Sequence, residues 1–194
     1  MQKPEAAADV DGRRVRGQNN RRKIVEAMIA LVSENVLSPG AQEVAERAHV
    51  GLRTVFRHFD DMETLYSEMS AQISAQILPL ISMTFTANDW RGRIGELIER
   101  RSLAFEKMLP FKSAADVIRH KSKFLADEHE QLVKFNRQRL LEALPSDLRK
   151  QRPVVEGLDL LLSFETWRRL RRDQGLSQAQ AKQTVAAAVE AILA

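Results

Sequence analysis

The chain has 194 residues, of which 44% are hydrophobic and 29% charged, an ordinary balance for a globular protein with a buried core. It contains no cysteine, which excludes a disulfide framework and thiol chemistry. No signal peptide and no apolar run of membrane-spanning length is found, so we expect a cytoplasmic location. The net charge is only +4, yet six basic and no acidic residues lie between Arg13 and Lys23. Charge localised in this way favours a site-specific nucleic-acid binder over a generic coat.

The basic N-terminal segment is predicted as a flexible arm over residues 1–19. Gly12, Gly17 and the pair Asn19–Asn20 oppose regular structure there. Such an arm can track DNA phosphates or enter a minor groove, and a solvated tail is the alternative. A first helix follows, with Ile24, Met28, Leu31 and Val32 at helical spacing, and Ser38-Pro39-Gly40 separates it from the next.

Two short helices joined by a tight turn are predicted between Ala41 and Phe59. Val44, Ala45 and Ala48 share one face of the first, and Val55 with Phe59 repeats at i, i+4 on the second. Two helices that cross steeply over a short turn need a small side chain at their closest approach, which Ala45 supplies. The pattern therefore indicates a helix-turn-helix.

The second of these helices presents a basic face. No acidic residue occurs between Arg47 and Phe59, so that face can enter a negatively charged major groove. An ordinary pair of packed helices with solvated arginines is the alternative interpretation. The side chains predicted to point outward are Leu52, Arg53, Thr54, Arg57 and His58.

Helices are also predicted along the middle of the chain, and no strand. The fourth helix begins at Asp60, and Pro79 should kink or end it. A fifth runs from Asn88 and stops near Pro110, after which Ser113 opens a long helix through a capping box.

Two helices complete the predicted fold. One runs from Pro153 to Gln174 and is ended by Gly175, and Ser177 with Gln180 caps the last. We expect an all-α protein of about nine helices, with a helix-turn-helix domain over residues 20–66 and a second helical domain over residues 67–194.

The region around the helix-turn-helix resembles the DNA-binding domain of the tetracycline-repressor-like (TetR) family of bacterial transcription regulators. The resemblance covers about residues 20–66. It rests on a Val-Ala pair, a turn, a recognition helix and the entry into the fourth helix, which here are Val44-Ala45, Ala48-His49-Val50-Gly51, residues 54–59 and Met62-Glu63-Thr64-Leu65.

Several residues depart from the family pattern at positions that usually hold DNA. His49 replaces a glycine in the turn. The left-handed backbone conformation expected there costs glycine little, whereas histidine only tolerates it. Gly51 replaces a serine cap. By the resemblance, Phe56 and Met62 replace a tyrosine and a lysine that commonly touch the DNA backbone, and Gly40-Ala41 replaces a hydroxyl-bearing pair. The affinity for the backbone must then come from elsewhere in the chain.

DNA-contacting roles follow for eleven residues. Arg53 and Arg57 are expected to pair with guanine and Leu52 to touch a thymine methyl, with Gln42 a further base-edge candidate. The remaining positions, of which several are expected to hold phosphates, are Arg21, Arg22, Lys23, Gly51, Thr54, Phe56 and His58.

The second domain is expected to bind a small effector and to form a homodimer. The resemblance implies dimerisation through the last two helices, and a stripe formed by Ala181, Val185, Ala188, Val189 and Ile192 suits it, although this stripe can equally pack on its own domain. The aromatic middle of the chain suits an apolar or amphipathic ligand. The candidate ligand-binding residues are Phe85, Phe105, His120, Phe124, Phe164 and Trp167.

An enzyme is the contrasting hypothesis. None of the short sequence motifs with a known catalytic mechanism is present, so we do not expect the chain to be an enzyme. Asp116 and His120 at i, i+4 could ligate a metal, but two ligands without a third are weak, so no metal or cofactor is predicted. We expect the protein to repress transcription by binding a palindromic DNA site as a homodimer. This places it at the bacterial nucleoid, and the effector is expected to release it from DNA. An activator, or a constitutive binder without effector, is the alternative.

Overall fold

The computed structural model describes the backbone of residues 5–194 and the side chains of residues 17–194. This part of the chain contains ten α-helices and no β-strand, which confirms the all-α class with one helix more than predicted. None of the helices described is long and apolar enough to cross a bilayer. The chain divides into two units, Met1–Ile73 with Pro110–Ser122 and Ser74–Leu109 with Lys123–Ala194, whereas the sequence predicts one boundary after residue 66.

The first unit is built on α1 (Glu5–Ser33), α2 (Ala41–Arg47), α3 (Leu52–His58) and the start of α4 (Met62–Ser82). α1 packs against both α2 and α3, and α2 packs against α3. The predicted apolar faces meet in one core, in which the buried side chains are Ile24, Val25, Met28, Leu31, Val32, Val44, Ala45, Ala48, Val55, Phe59, Leu65, Tyr66 and Met69.

The helix α1 begins much earlier than predicted. Its backbone is helical from Glu5 and continues through Gly12, Gly17 and Asn19–Asn20, where the sequence predicts irregular structure. A glycine in a helix costs only about 1 kcal/mol relative to alanine, and the surrounding Ala, Arg and Gln residues favour helix. The side chains of Arg13, Arg14 and Arg16 lie outside the described residues.

The turn between α2 and α3 is a Schellman motif with a histidine in the glycine position. The Val50 amide donates to the Ala45 carbonyl (3.0 Å) and the His49 amide to the Glu46 carbonyl (3.1 Å). His49 has φ +53°, so the left-handed conformation that the sequence suggested is kept at some strain. Ala45 is buried at the approach of the two helices, as predicted.

Prolines interrupt the helices less than predicted. α4 begins at Met62, capped by the Asp61 carboxylate, which accepts from the Thr64 amide (2.8 Å), and it continues three residues beyond Pro79. α5 (Trp90–Ile118) passes through Pro110 and ends in a 3-10 turn. Burial of the neighbouring Leu109 helps to offset the hydrogen bond that proline cannot donate.

The predicted helix start at Ser113 is therefore wrong, because Ser113 lies inside α5. The break falls later, at the 3-10 turn Arg119–Lys121, and α6 (Lys123–Ala143) follows it. A short helix that the sequence analysis did not predict, α7 (Ser146–Arg149), comes next.

The predicted helix over residues 153–174 is two helices, α8 (Arg152–Leu161) and α9 (Phe164–Arg168), the second continued by a π-helical turn over Arg169–Asp173. Ser163 breaks it, because its side chain accepts from the Thr166 amide (3.1 Å) as an N-cap. The capping box that opens α10 (Gln178–Leu193) is present as predicted, with Ser177 and Gln180 bonded reciprocally.

The apolar stripe of α10 packs on its own unit. Val185 and Val189 are 6% and 0% exposed and belong to a core that also contains residues of α5, α6, α8 and α9. The prediction that these two valines form a subunit interface is therefore wrong. Helical periodicity identifies a buried face but does not say which surface covers it.

Two glycines give opposite predictions for the same substitution. Gly175 has φ +67° and Gly95 lies inside α5, in its second turn, and an added Cβ would meet nothing within 4 Å at either site. We expect Gly175→Ala to lower the free energy of unfolding by about 1–2 kcal/mol through backbone strain alone. Gly95→Ala should raise it by about 0.5–1 kcal/mol. Chemical denaturation measures both, and equal effects would contradict the left-handed assignment.

Candidate nucleic-acid interface

The helix α3 is short and is oriented by its buried face. Gly51 precedes it in an extended conformation (φ −72°, ψ 148°) and contributes no side-chain cap, and its carbonyl accepts from the Thr54 amide (2.8 Å). Val55 and Phe59 are each 1% exposed and anchor the inner side. The opposite side of α3 is left to solvent.

Four outward side chains form two parallel stripes along α3. Leu52 and Phe56 are four residues apart, as are Arg53 and Arg57, and all four are exposed. Thr54 is half-buried. Side chains at i and i+4 lie one above the other on a helix. The solvent face of α3 therefore combines an apolar stripe with a cationic one.

Arg21 contacts the end of α3, although 40% of its side chain remains exposed. Its guanidinium donates to the His58 carbonyl (2.5 Å), forms an ion pair with the Glu68 carboxylate on α4, and stacks over the Phe59 ring at 4.3 Å from the centroid. One side chain thus ties α1 and α4 to the last turn of α3. Arg21 was predicted to meet DNA phosphates, but its charge is engaged within the chain.

His58 is half-buried on the inner edge of the same turn. Burial lowers the pKa of its imidazole below the usual value, and the Arg57 and Arg21 cations lower it further. Its Nε2 atom is buried without a hydrogen-bond partner among the described residues. The lowered pKa disfavours the charged imidazolium, which weakens the case for the phosphate contact predicted for His58.

The other predicted phosphate and base contacts lie on exposed positions. Arg22 and Lys23 are exposed near the middle of α1, and Arg22 pairs weakly with Glu26 (3.5 Å). Gln42 is exposed on α2, where its amide donates to Glu46 (2.7 Å). These side chains are accessible to a ligand of the first unit.

Two braces of the first unit were not predicted from the sequence. Glu68 was not singled out, and Arg47 was noted only as the start of the acid-free stretch. The Nη1 and Nη2 atoms of Arg47 donate to the Oε1 and Oε2 atoms of Glu34, at 2.7 and 2.5 Å. This bidentate pair fixes the end of α2. Partners this far apart in sequence leave no local pattern.

The structure brings three of the predicted ligand-binding residues together. Phe105 and Phe164 meet edge to face, with ring centroids 5.7 Å apart, and Phe105 and Trp167 line a cavity of about 10 Å³ in the second unit. Phe85 packs against the same core. His120 lies in the first unit, in the 3-10 turn, and Phe124 is exposed on α6.

Arg101 also lines this cavity and was not predicted. It is 3% exposed, and its guanidinium donates to the Leu162 carbonyl (2.8 Å) at the end of α8 and to the Asn136 carbonyl. Burial lowers its pKa to about 10, so it remains charged at neutral pH. The negative end of α8 stabilises this cation.

No metal-binding cluster is found among the described residues, since no three His, Cys, Asp or Glu side chains converge there. Asp116, which was paired with His120 in the weak metal hypothesis, lies near Lys112 (3.6 Å) and Arg119 (3.5 Å) instead.

No family model matches the chain, and no curated protein matches it in sequence. Among solved structures, a transcriptional regulator from Rhodococcus sp. RHA1 superimposes with a TM-score of 0.66 at 14% identity, over 91% of this chain and 95% of that one. A protein from Mesorhizobium loti, provisionally assigned to the TetR family of transcriptional regulators, gives 0.50 at 20% identity, over 92% and 96%. These likenesses establish the fold of the chain.

The contacts of Arg21 with α3 and Glu68 predict that Glu68→Gln changes the affinity for DNA in the opposite direction to that expected from its charge. Removing an acidic charge ordinarily strengthens binding to DNA through long-range electrostatics. If Glu68 holds Arg21 on the last turn of α3, the substitution should instead weaken binding to a DNA site selected from a random pool by about ten-fold, which is 1.4 kcal/mol.

Glu26→Gln is the matched control, since Glu26 is an exposed acid of α1 whose carboxylate lies near Arg22 of the same helix (3.5 Å). We expect it to leave binding unchanged or slightly stronger. Binding titrations at fixed salt compare the two variants, and stronger binding by both would show that Arg21 does not position α3.

Proposed function

We propose that this chain, which has the fold of TetR-family regulators, is a sequence-specific DNA-binding regulator of transcription. The observation that carries the proposal is the exposed pair Arg53 and Arg57 on the outer face of a helix-turn-helix. Val55 and Phe59 leave that face free by anchoring the opposite one. A helix presented in this way fits the major groove of DNA.

Recognition combines base contacts with phosphate contacts. Each arginine of α3 can donate two parallel hydrogen bonds to the edge of a guanine. Arg22 and Lys23, which are exposed on α1, supply charge for the phosphates, and Thr54 and Gln42 supply polar groups. Phosphate contacts set affinity and register, whereas base contacts set specificity.

The regulator acts as a homodimer on a palindromic site. Two-fold symmetry places two recognition helices one helical turn of DNA apart, about 34–36 Å. The apolar stripe of α10 is used internally, so an interface through the last helices must use the outward sides of α8 and α10, where Leu160 is 66% exposed. Occupation of a promoter by the dimer represses transcription, and a site upstream of the promoter would make the same protein an activator.

An apolar or amphipathic effector binds the second unit and releases DNA. The support is the cluster of Phe105, Phe164 and Trp167 beside a cavity. That cavity has room for about one water molecule, so effector binding requires the core to open. Such a ligand shifts the protein only if it prefers the conformation that does not bind DNA. For a DNA-binding regulator of this kind we expect a cytoplasmic, nucleoid-associated location and no catalytic activity.

Selection of bound sequences from a random DNA pool tests the function directly. We expect an enriched inverted repeat, and Arg53→Ala and Arg57→Ala should each relax the preference at their own base position by about 1–3 kcal/mol. Arg22→Ala is the control, because loss of a phosphate contact weakens binding to all sequences alike. Unchanged ratios between the selected and a scrambled site in both α3 variants would contradict the assignment.

Effector control is tested by a thermal-shift screen of apolar and amphipathic compounds, followed by DNA-release assays on the hits. We expect hits to raise the melting temperature and to weaken binding to the selected site. Trp167→Phe should reduce the response because Trp167 lines the cavity. Compounds that stabilise the protein without releasing DNA would contradict regulation, and a screen without hits would favour a constitutive binder.

A further inference from the structure

We propose that Leu52 and Phe56 read the 5-methyl groups of thymines, beside the guanines paired by Arg53 and Arg57. This inference rests on the proposed function and specifies the DNA sequence class that the same site takes. Its starting observation is that Leu52 and Phe56 are 40% and 47% exposed, side by side on the solvent face of α3.

The chemistry of Phe56 excludes the hydrogen bond that a phosphate contact requires. Its side chain has neither donor nor acceptor, so it cannot bind the DNA backbone in the way that a tyrosine or a serine does. The thymine methyl is the apolar group that a major groove exposes, and leucine or phenylalanine can cover it. An apolar stripe on a groove-entering helix therefore selects thymine.

The spacing of the stripe sets the spacing of the thymines. Four residues of α-helix rise about 6 Å, which corresponds to about two base-pair steps of 3.4 Å. Arg53 and Arg57 have the same separation on the neighbouring stripe. Each half-site should thus contain thymines within about two base pairs of one another, next to guanines on either strand.

Charge favours DNA as the occupant of this apolar surface. Two exposed cations border it, and no acidic residue lies between Arg47 and Phe59. A neutral or basic protein partner would leave those cations without a complement, whereas the groove offers methyl groups within a strongly negative field. The competing explanation is a local one, in which Leu52 and Phe56 merely stabilise α3 as an i, i+4 pair.

Uracil is the probe, because deoxyuridine differs from thymidine only by the absent methyl. The full-length protein is first used to select its site from a random pool. Each thymine of one half-site is then replaced by deoxyuridine in turn, and the dissociation constant is measured. We expect a loss of about four-fold at each methyl that is read, as for one buried carbon group.

Variants assign each methyl to a side chain. Phe56→Ala should abolish the deoxyuridine penalty at one thymine and Leu52→Ala at another, whereas Phe56→Leu should keep most of it. Arg57→Ala is the matched control from the neighbouring stripe and should retain both penalties while losing preference for its guanine. Because both apolar side chains are exposed, the variants should fold normally, which thermal unfolding checks.

The outcomes separate this inference from the function on which it rests. An enriched site that tolerates deoxyuridine everywhere overturns methyl reading while sequence-specific binding stands. Penalties that persist in both alanine variants also overturn it, since other groups would then read the methyls. Failure to enrich any sequence overturns the proposed function itself.

Discussion

A helix of seven residues is too short to keep its conformation in water, because nucleation orders several residues for few hydrogen bonds. α3 therefore depends on supports elsewhere in the first unit. Val55 and Phe59 anchor its inner side, the Schellman turn fixes its start, and Arg21 holds the carbonyl of its final residue. The orientation of the basic face is thus a property of four helices. A substitution in α1 or α4 can therefore alter the DNA recognition that we propose, even where the substituted residue does not contact a base.

The second unit buries the charge of Arg101, whose residue is 3% exposed. Arg101 lies between the Leu162 carbonyl at the end of α8 and the Asn136 carbonyl of α6, so replacing it with an apolar residue would leave each of these carbonyls with one donor fewer. The same cation borders the cavity beside Trp167. A core of this kind is specified by polar geometry as well as by packing, and it places a hydrogen-bond donor next to the proposed effector site.

The helix-turn-helix and the cap at Ser177 were predicted correctly, whereas contacts between distant residues, and the local capping-box pattern at Ser113, were not. The helix-turn-helix and the cap at Ser177 depend on residues within a few positions of one another, so their spacing is visible in the sequence. The ion pair of Arg21 with Glu68 spans 47 positions and leaves no such trace. The predicted end of α5 near Pro110 was wrong. The lost hydrogen bond of a proline is visible in the sequence, but the burial of neighbouring side chains that offsets it exists only in the folded chain. The stripe of Val189 was correctly predicted to be buried, but its periodicity did not identify the partner surface.

The exposed apolar stripe on α3 has a thermodynamic consequence for any complex that covers it. Removing Leu52 and Phe56 from water lowers the heat capacity of the system, because hydration of apolar surface raises it. The enthalpy of association then becomes more favourable as temperature rises, while its entropy becomes less so. Binding calorimetry over a range of temperatures would therefore register this stripe as a negative slope of the binding enthalpy against temperature. That slope is separate from the contribution of released counterions.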